Sequence, residues 1–235
     1  MNRSIEIFGI FWNEEIIIQD FIDWYKNKLP NATITILDNE STDKTVEIAK
    51  LNGCNVIKFS TNSSMDERTL MNIRNNIWRG SESEWVIIVD SDELIDINHN
   101  IIDSADWNVA KCVGYEMFGE GESIKDLVYG CSSDGYSKAS IINKNEIEYM
   151  NFGAGSHTEK PIPKSGFSVN FAKNRPNLYH TKWRSWENGI NRAHILAKRR
   201  SQHSISVGWN FHYGLPDSTH EEYYKNGIKN RIKVR

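Results

Sequence analysis

Apolar and polar positions alternate between two periods over the first ninety residues. Ile5–Trp12, Thr33–Leu37, Asn55–Phe59 and Trp85–Val89 are short runs rich in β-branched and apolar side chains, and each reads as a strand. The runs between them have helical spacing. Glu15–Leu29 carries Ile17, Ile18, Phe21, Ile22, Trp24 and Tyr25 and is stopped by Pro30. Lys44–Leu51 is closed by Gly53, and Ser64–Arg79 opens on a Ser cap with Asp66 and Glu67 in its first turn and a Leu70, Ile73, Ile77 stripe. Strand and helix in alternation predict a mainly parallel α/β sheet with right-handed crossovers and helices on both faces. The Trp85–Val89 run is apolar at every position, as befits a strand buried on both faces.

After Leu94 the regular alternation is lost. Asn98–Ser104 reads as a short helix, and Ala110–Phe118, Ser137–Asn143 and Phe167–Phe171 read as strands joined by Gly-rich connections such as Gly119–Gly121. Trp183–Arg200 is a strongly amphipathic helix, and Ser218–Ile232 is a final one. No repeat, low-complexity tract or linker interrupts the chain. Residues 1–235 are therefore read as a single domain, with a doubly wound half at 1–95 and a smaller mixed region with C-terminal helices at 96–235.

Composition narrows the partners. The formal net charge of −3 gives no case for nucleic acid, but from Lys182 onward Lys and Arg outnumber Asp and Glu, which suits an anionic ligand or peripheral contact with a membrane surface. Cys54, Cys112 and Cys131 are odd in number and lack metal spacing, as expected of reduced thiols in the cytoplasm. The first strand starts almost at Met1, leaving no room for a signal peptide, and no apolar run approaches the ~20 residues that cross a bilayer.

The chemistry gathers where strands end. Asn13, Glu14 and Glu15 follow the first strand, Asp38 to Asp43 the second, and Asp90, Ser91, Asp92 and Glu93 the fourth, so three polar clusters line one edge of one sheet. Ligands of open α/β sheets bind at that edge. Two carboxylates at i and i+2 are suited to a hard divalent cation that also carries phosphate oxygens. An EF-hand is excluded, because the sixth residue counted from Asp90 is Ile95 and a strand precedes it. Simple caps and turns compete with the functional reading: Asp43 suits an Asx-turn, and Glu14 and Glu15 suit the first turn of a helix.

These motifs in this order resemble the inverting family 2 glycosyltransferases of the GT-A fold. The features that carry the resemblance are Asn13-Glu14-Glu15, the Asp38-Asn39-Glu40-Ser41-Thr42-Asp43 turn, Arg74 and the Asp90-Ser91-Asp92 form of a DXD motif. Tyr136-Ser137-Lys138, Gly155-Ser156-His157 and Tyr179-His180-Thr181-Lys182-Trp183-Arg184-Ser185 are similar to segments of a short single-domain subgroup. The resemblance implies a nucleotide-diphosphate sugar as donor, with UDP as its nucleotide, a glycan or other hydroxyl acceptor, and Mn²⁺ or Mg²⁺. It implies that Asp38 accepts from the uracil N3, that Trp12 and Asn13 wall the base, and that Asp90 holds the ribose. Asp92 is then the metal ligand, Arg74 sits near the uracil or diphosphate, and Glu14 and Ser91 belong to the same donor site.

Three assignments stay open within that scheme. The general base is Asp134 or Glu159. A histidine completing the metal set is His157 or His180. Lys182 and Arg184 meet the diphosphate or else sit at an exposed helix start.

Two rivals are weighed against transfer. A sugar nucleotidyltransferase expects a basic Gly-rich loop after the first strand, where this chain has Trp12, Asn13, Glu14 and Glu15. A non-catalytic nucleotide-sugar or glycan-binding module on the same fold differs only in lacking turnover. A dinucleotide-binding domain is excluded because no Gly-x-Gly-x-x-Gly follows the first strand.

Overall fold

A computed structural model describes residues 3–235. The chain begins β1 (Ile5–Phe11), α1 (Ile18–Lys28), β2 (Thr33–Asp38), α2 (Thr45–Leu51), β3 (Asn55–Lys58), α3 (Glu67–Asn76) and β4 (Trp85–Asp90). It continues through β5 (Glu93–Asp96), α4 (His99–Asp103), β6 (Val109–Lys111), β7 (Val113–Phe118), β8 (Tyr129–Ser132) and β9 (Ala139–Asn143). A small hairpin of β10 (Ile147–Tyr149) and β11 (Ile162–Pro163) precedes β12 (Asn177–Trp183), and α5 (Trp186–Arg199), α6 (Gln202–Ser206), α7 (Asp217–Asn230) and β13 (Ile232–Lys233) close the chain.

The fold is mixed α/β. One sheet has the order β3-β2-β1-β4-β9-β6, in which β1 to β4 are parallel and β9 runs against β4. The order reverses between β1 and β4, which opens a crevice beyond their C-terminal ends. Phe11 lies beside Asp38, and Ile10 beside Asp90, so the three strands end level. Apolar side chains pack on both faces: Ile7, Phe21, Ile22, Ile36, Ile87 and Ile141 in one cluster, Phe8, Trp78, Val86, Ile88 and Ile142 in the other.

A second sheet, β13-β8-β7-β12-β5, shares its chain with the first at two corners. At the first, only Ser91 and Asp92 separate β4 in one sheet from β5 in the other. At the second, Cys112 separates β6 from β7: Cys112 N donates to Lys138 O, and Val113 N donates to Pro176 O. The expected Ala110–Phe118 strand is therefore two strands in two sheets. The regions 1–95 and 96–235 also interleave, since β9 and β6 complete the first sheet and β5 joins the second.

Other boundaries move for local reasons. The cap of α3 is Asp66 and not Ser64, its carboxylate accepting from Thr69 N at 3.3 Å. Phe167–Phe171 makes an isolated bridge from Phe171 to Val109 on the open edge of β6, where Asn108 N and Val109 N both donate to Asn170 O and Ala172 N donates to Val109 O. Trp183 ends β12, and the following helix starts at Trp186 with Ser185 as its cap, accepting from Asn188 N. Cys54 and Cys112 are buried and all three cysteines are free. Among the described residues no helix is long and apolar enough to cross a membrane.

Ile87 is fully buried at the centre of β4, flanked by Ile7 and Ile141. Ile87→Ala is expected to cost about 2–5 kcal/mol of unfolding free energy, read as a lower urea midpoint with unchanged slope.

Candidate active site

The crevice between β1 and β4 is walled by Ile10, Phe11 and Trp12 on one side and by Asp90, Ser91, Asp92 and Glu93 on the other. Helix α3 contributes Glu67, Leu70 and Arg74, which share one face at i, i+3 and i+7 and are all buried. The C-terminal half closes the opening with Arg192, Leu196, Arg199, His212 and Tyr213.

Asp90 is fixed by a buried ladder of alternating charge. Glu67 pairs with Arg74 at 2.9 Å, Arg74 with Asp90 at 2.7 Å, Asp90 with Lys138 at 3.2 Å, and Lys138 with Glu93 at 2.5 Å. Burial alone would push the Asp90 carboxyl up, but Arg74 and Lys138 override it and hold it well below the usual range. Lys138 reaches this position through strand pairing: Trp85 faces Asn143 and Ile87 faces Ile141, and continuing that register to the end of β4 sets Lys138 opposite Asp90.

Asp92 is held differently. Thr181 donates from its backbone N and its hydroxyl to the Asp92 carbonyl, at 2.8 and 3.0 Å, pinning the corner to β12. The neighbouring His180 then brings Nε2 to 3.3 Å from Asp92 Oδ2. Its Nδ1 lies 2.7 Å from Glu116 Oε1, because His180 sits beside Glu116 in the β12–β7 register, and its ring stacks on Tyr136 at 3.8 Å. Burial lowers the imidazole pKa, but Glu116 and Asp92 outweigh it and raise it to about 10. Burial likewise opposes ionisation of Asp92, yet the His180 charge brings its pKa to about 2.

The pair fits a divalent cation. Donors about 2.1 Å from an ion and at right angles lie about 3 Å apart, close to the Asp92–His180 spacing. A histidine that gives its other N–H to a carboxylate is the usual second contact of a metal-binding imidazole, and Glu116 supplies that carboxylate. Among the described residues no group of three or more His, Cys, Asp or Glu has metal-ligand spacing, so the remaining positions would fall to phosphate oxygens and water. His157 borders the crevice with Nδ1 2.6 Å from the Gly135 carbonyl, which fixes the proton on Nδ1.

The polar residues after β1 mostly stitch loops together. Asn13 has a left-handed backbone, φ 50°, and its side chain accepts from Thr42 N and donates to Thr42 Oγ1, while its own N–H donates to Ser41 Oγ. Glu15 and Asp43 are joined reciprocally, with Glu15 N donating to Asp43 and Lys44 N to Glu15, and Asp43 also accepts from Thr45 N. Glu14 is buried under the corner, where it accepts from Ser91 Oγ at 3.0 Å and pairs with Arg192. Burial raises its carboxyl pKa to about 7 against the pull of Arg192.

Asp38 is fully buried behind the crevice lining, with Oδ1 accepting from Ser41 N and Oδ2 without a partner among the described residues. Trp12 lies under Arg199, whose guanidinium carbon is 3.5 Å from the ring centroid and whose Nη2 donates to Asn39 Oδ1 at 3.0 Å. This contact helps to narrow the crevice to about 150 Å³.

Several expected residues stand away from the crevice. Lys182 lines a second cavity instead, its ammonium between the Trp183 and Tyr213 rings at 4.9 and 4.6 Å. Arg184 is buried and donates to Asn188 Oδ1 at 2.9 Å. Asp134 is exposed on the loop that continues into Gly135 and Tyr136. Glu159 is turned to Lys111 at 2.9 Å. Glu67, Glu116, Arg192 and Arg199, by contrast, carry no motif and enter the site only through folding.

No protein-family model and no curated protein matches this chain. Among solved structures, S. aureus TarS residues 1–349 in complex with UDP aligns with TM-score 0.48 and 15% identity over 83% of this chain and 65% of that one. A longer S. aureus TarS structure gives 0.47 and 17%, and there this chain spans 83% of itself and 39% of TarS. The mannosyltransferase PcManGT from Pyrobaculum calidifontis in complex with GDP-Man and Mn²⁺ gives 0.38 and 16%, over 48% of this chain and 36% of that one.

Two outcomes follow from the charges. Lys138→Met leaves Asp90 with Arg74 but strands the buried Glu93 carboxylate, and is expected to cost about 3–5 kcal/mol in urea unfolding. The raised His180 pKa makes its contribution to stability complete below pH 6.5 and lost as pH climbs toward about 10. In chelator-treated protein the melting temperature should therefore fall between pH 7 and 9.5, and His180→Asn should flatten that fall.

Proposed function

We propose that the chain is a metal-dependent glycosyltransferase that takes a sugar from a UDP-sugar and passes it with inversion to a hydroxyl acceptor. The observation that carries this reading is the Asp92–His180 pair, two oriented donors at the C-terminal corner of β4, 3.3 Å apart. A bound Mn²⁺ or Mg²⁺ would act there as a Lewis acid for the charge that grows on a departing diphosphate. Glu116 keeps the imidazole oriented, so the ligand set is preorganised.

The other residues divide the donor between them. Asp90 offers its remaining lone pairs to the ribose hydroxyls while Arg74 and Lys138 keep it ionised. Asp38 is fully buried behind the crevice lining, and its Oδ2, without a donor among the described residues, would accept from a nucleobase N–H once the side chains covering it move. Trp12 supplies an aromatic face for the base once Arg199 moves off it. That displacement is required, because ligand pockets usually offer ~300–1,000 Å³.

In the transfer, the acceptor oxygen bonds to the anomeric carbon as the bond from that carbon to the diphosphate breaks. The acceptor proton passes to a carboxylate. Asp134 is our choice for this base, because it directly precedes Gly135 and Tyr136 at the edge of the second cavity, whereas Glu159 is engaged by Lys111.

Thermal shift with UDP, GDP and ADP, each with and without Mn²⁺, tests the donor reading. UDP with Mn²⁺ is expected to raise the melting temperature, and Asp92→Asn to weaken metal-dependent UDP binding at least tenfold. Full retention of that binding in Asp92→Asn overturns the metal assignment. Asp134→Asn is expected to lower kcat for transfer at least 100-fold with little change in donor affinity.

A further inference from the structure

A second cavity of about 350 Å³ adjoins the crevice and shares Tyr136, His157 and His212 with it. Its floor is the end of β12, with Lys182 and Trp183, and its far wall is Leu215 and α7, with Thr219, His220 and Tyr223. Among the described residues, two largely buried side chains in this lining lack an oppositely charged or hydrogen-bonding partner at the tip. Lys182 is 7% exposed and has no carboxylate oxygen within 4 Å among the described residues. His220 is 6% exposed, and its Nε2 has no hydrogen-bond partner among the described residues.

The one carboxylate in the lining does not answer them. Glu116 is taken by His180 Nδ1 at 2.7 Å and by the Tyr223 hydroxyl at 3.1 Å. The cavity thus holds an ammonium met by the Trp183 and Tyr213 ring faces but, among the described residues, by no carboxylate, beside an imidazole nitrogen that has no partner there either. Ring faces offset only part of the cost of taking an ammonium out of water, and an anion brought by a ligand would offset more of it.

We infer that this cavity receives the anionic group of the acceptor, a phosphate or carboxylate on a small polyol or sugar, with Lys182 as its counter-ion and His220 Nε2 as a second contact. The word acceptor rests on the glycosyltransferase reading. The anion site itself does not. A charge-assisted contact with an ammonium suits either oxyanion, and Tyr136 and Tyr223 line the cavity where the carbon skeleton would rest. Shared walls place a molecule held here next to the donor crevice.

The test uses the full chain, with glycerol 3-phosphate, galacturonate and neutral glycerol titrated separately by calorimetry and by imidazole NMR, and with UDP and Mn²⁺ titrated in parallel. At least one charged probe is expected to bind saturably and to shift the His212 and His220 signals, and glycerol is not. Lys182→Gln should weaken the charged probe at least tenfold, Lys182→Arg should retain most of the affinity, and His220→Gln should weaken it severalfold. UDP–Mn²⁺ affinity should stay the same in all three. His220→Gln carries the comparison if Lys182→Gln does not fold.

The comparison of phosphate with carboxylate names the oxyanion. Failure of both charged probes, equal binding of glycerol, or unchanged affinity in Lys182→Gln overturns the inference. A fall in UDP affinity in Lys182→Gln also overturns it, since Lys182 would then belong to the donor diphosphate. If UDP fails to bind the unaltered protein while a charged probe binds, the donor reading falls and the anion site stands.

Discussion

The structure turns on a two-residue corner. β4 leaves the first sheet at Asp90 and re-enters the second as β5 at Glu93, so Ser91 and Asp92 have no strand partners of their own along the chain. Such a corner holds only if its polar groups are satisfied from outside. Thr181 takes the Asp92 carbonyl, Glu14 takes the Ser91 hydroxyl, and Glu93 turns back to accept from Asp90 N at 3.0 Å. Each of these bonds also aims a side chain. The corner is therefore both the hinge line between two sheets and the device that presents two carboxylates to one crevice.

Burying so many charges at that corner is tolerable because they alternate. Glu67, Arg74, Asp90, Lys138 and Glu93 form a line in which each inner member has opposite neighbours on both sides. In a poorly hydrated setting, desolvation disfavours every ion, and only close opposite charge restores ionisation. Asp92, His180 and Glu116 repeat the arrangement, with the imidazolium as the cation. The proton on His180 Nε2 stands where, in the proposed reading, a divalent ion would bring its charge, which would link acidity, metal binding and stability at a single ring.

The C-terminal segment determines how open the site is. Arg192 reaches Glu14 and the Trp12 carbonyl, and Arg199 covers the Trp12 ring while the backbone at Met65 pairs with Arg199 and Ser201. Helix α5 thereby bridges the loop after β1 and the loop before α3. Farther along, His212, Leu215 and α7 roof the second cavity. One continuous stretch of chain thus covers both the proposed donor crevice and the proposed acceptor pocket.

The alternation of Ile, Val, Phe and Trp runs with helical spacing was enough to set the parallel half and to put Asp38, Asp90 and Asp92 at one edge, because β-branched runs and helix periods are local properties. The same local signals located α1, α2, α3 and the start of α7 to within a few residues. They did not reveal that Ala110–Phe118 breaks at Cys112, since changing sheet partner leaves no mark in hydrophobic period. Nor did they find β5 or the extension of β12 to Trp183. For the same reason Lys138, present only within the Tyr136-Ser137-Lys138 segment, had no role assigned, and Glu116 belonged to no segment: one reaches Asp90 through the β4–β9 register and the other reaches His180 through the β7–β12 register. Sequence by itself thus determined which acids stand at the sheet edge. Apart from Arg74, which comes from the neighbouring helix α3, the tertiary structure alone decided their partners, because Lys138 and the His180 imidazole arrive from strands about 50 to 90 residues away whose register is set by the packing of the whole sheet.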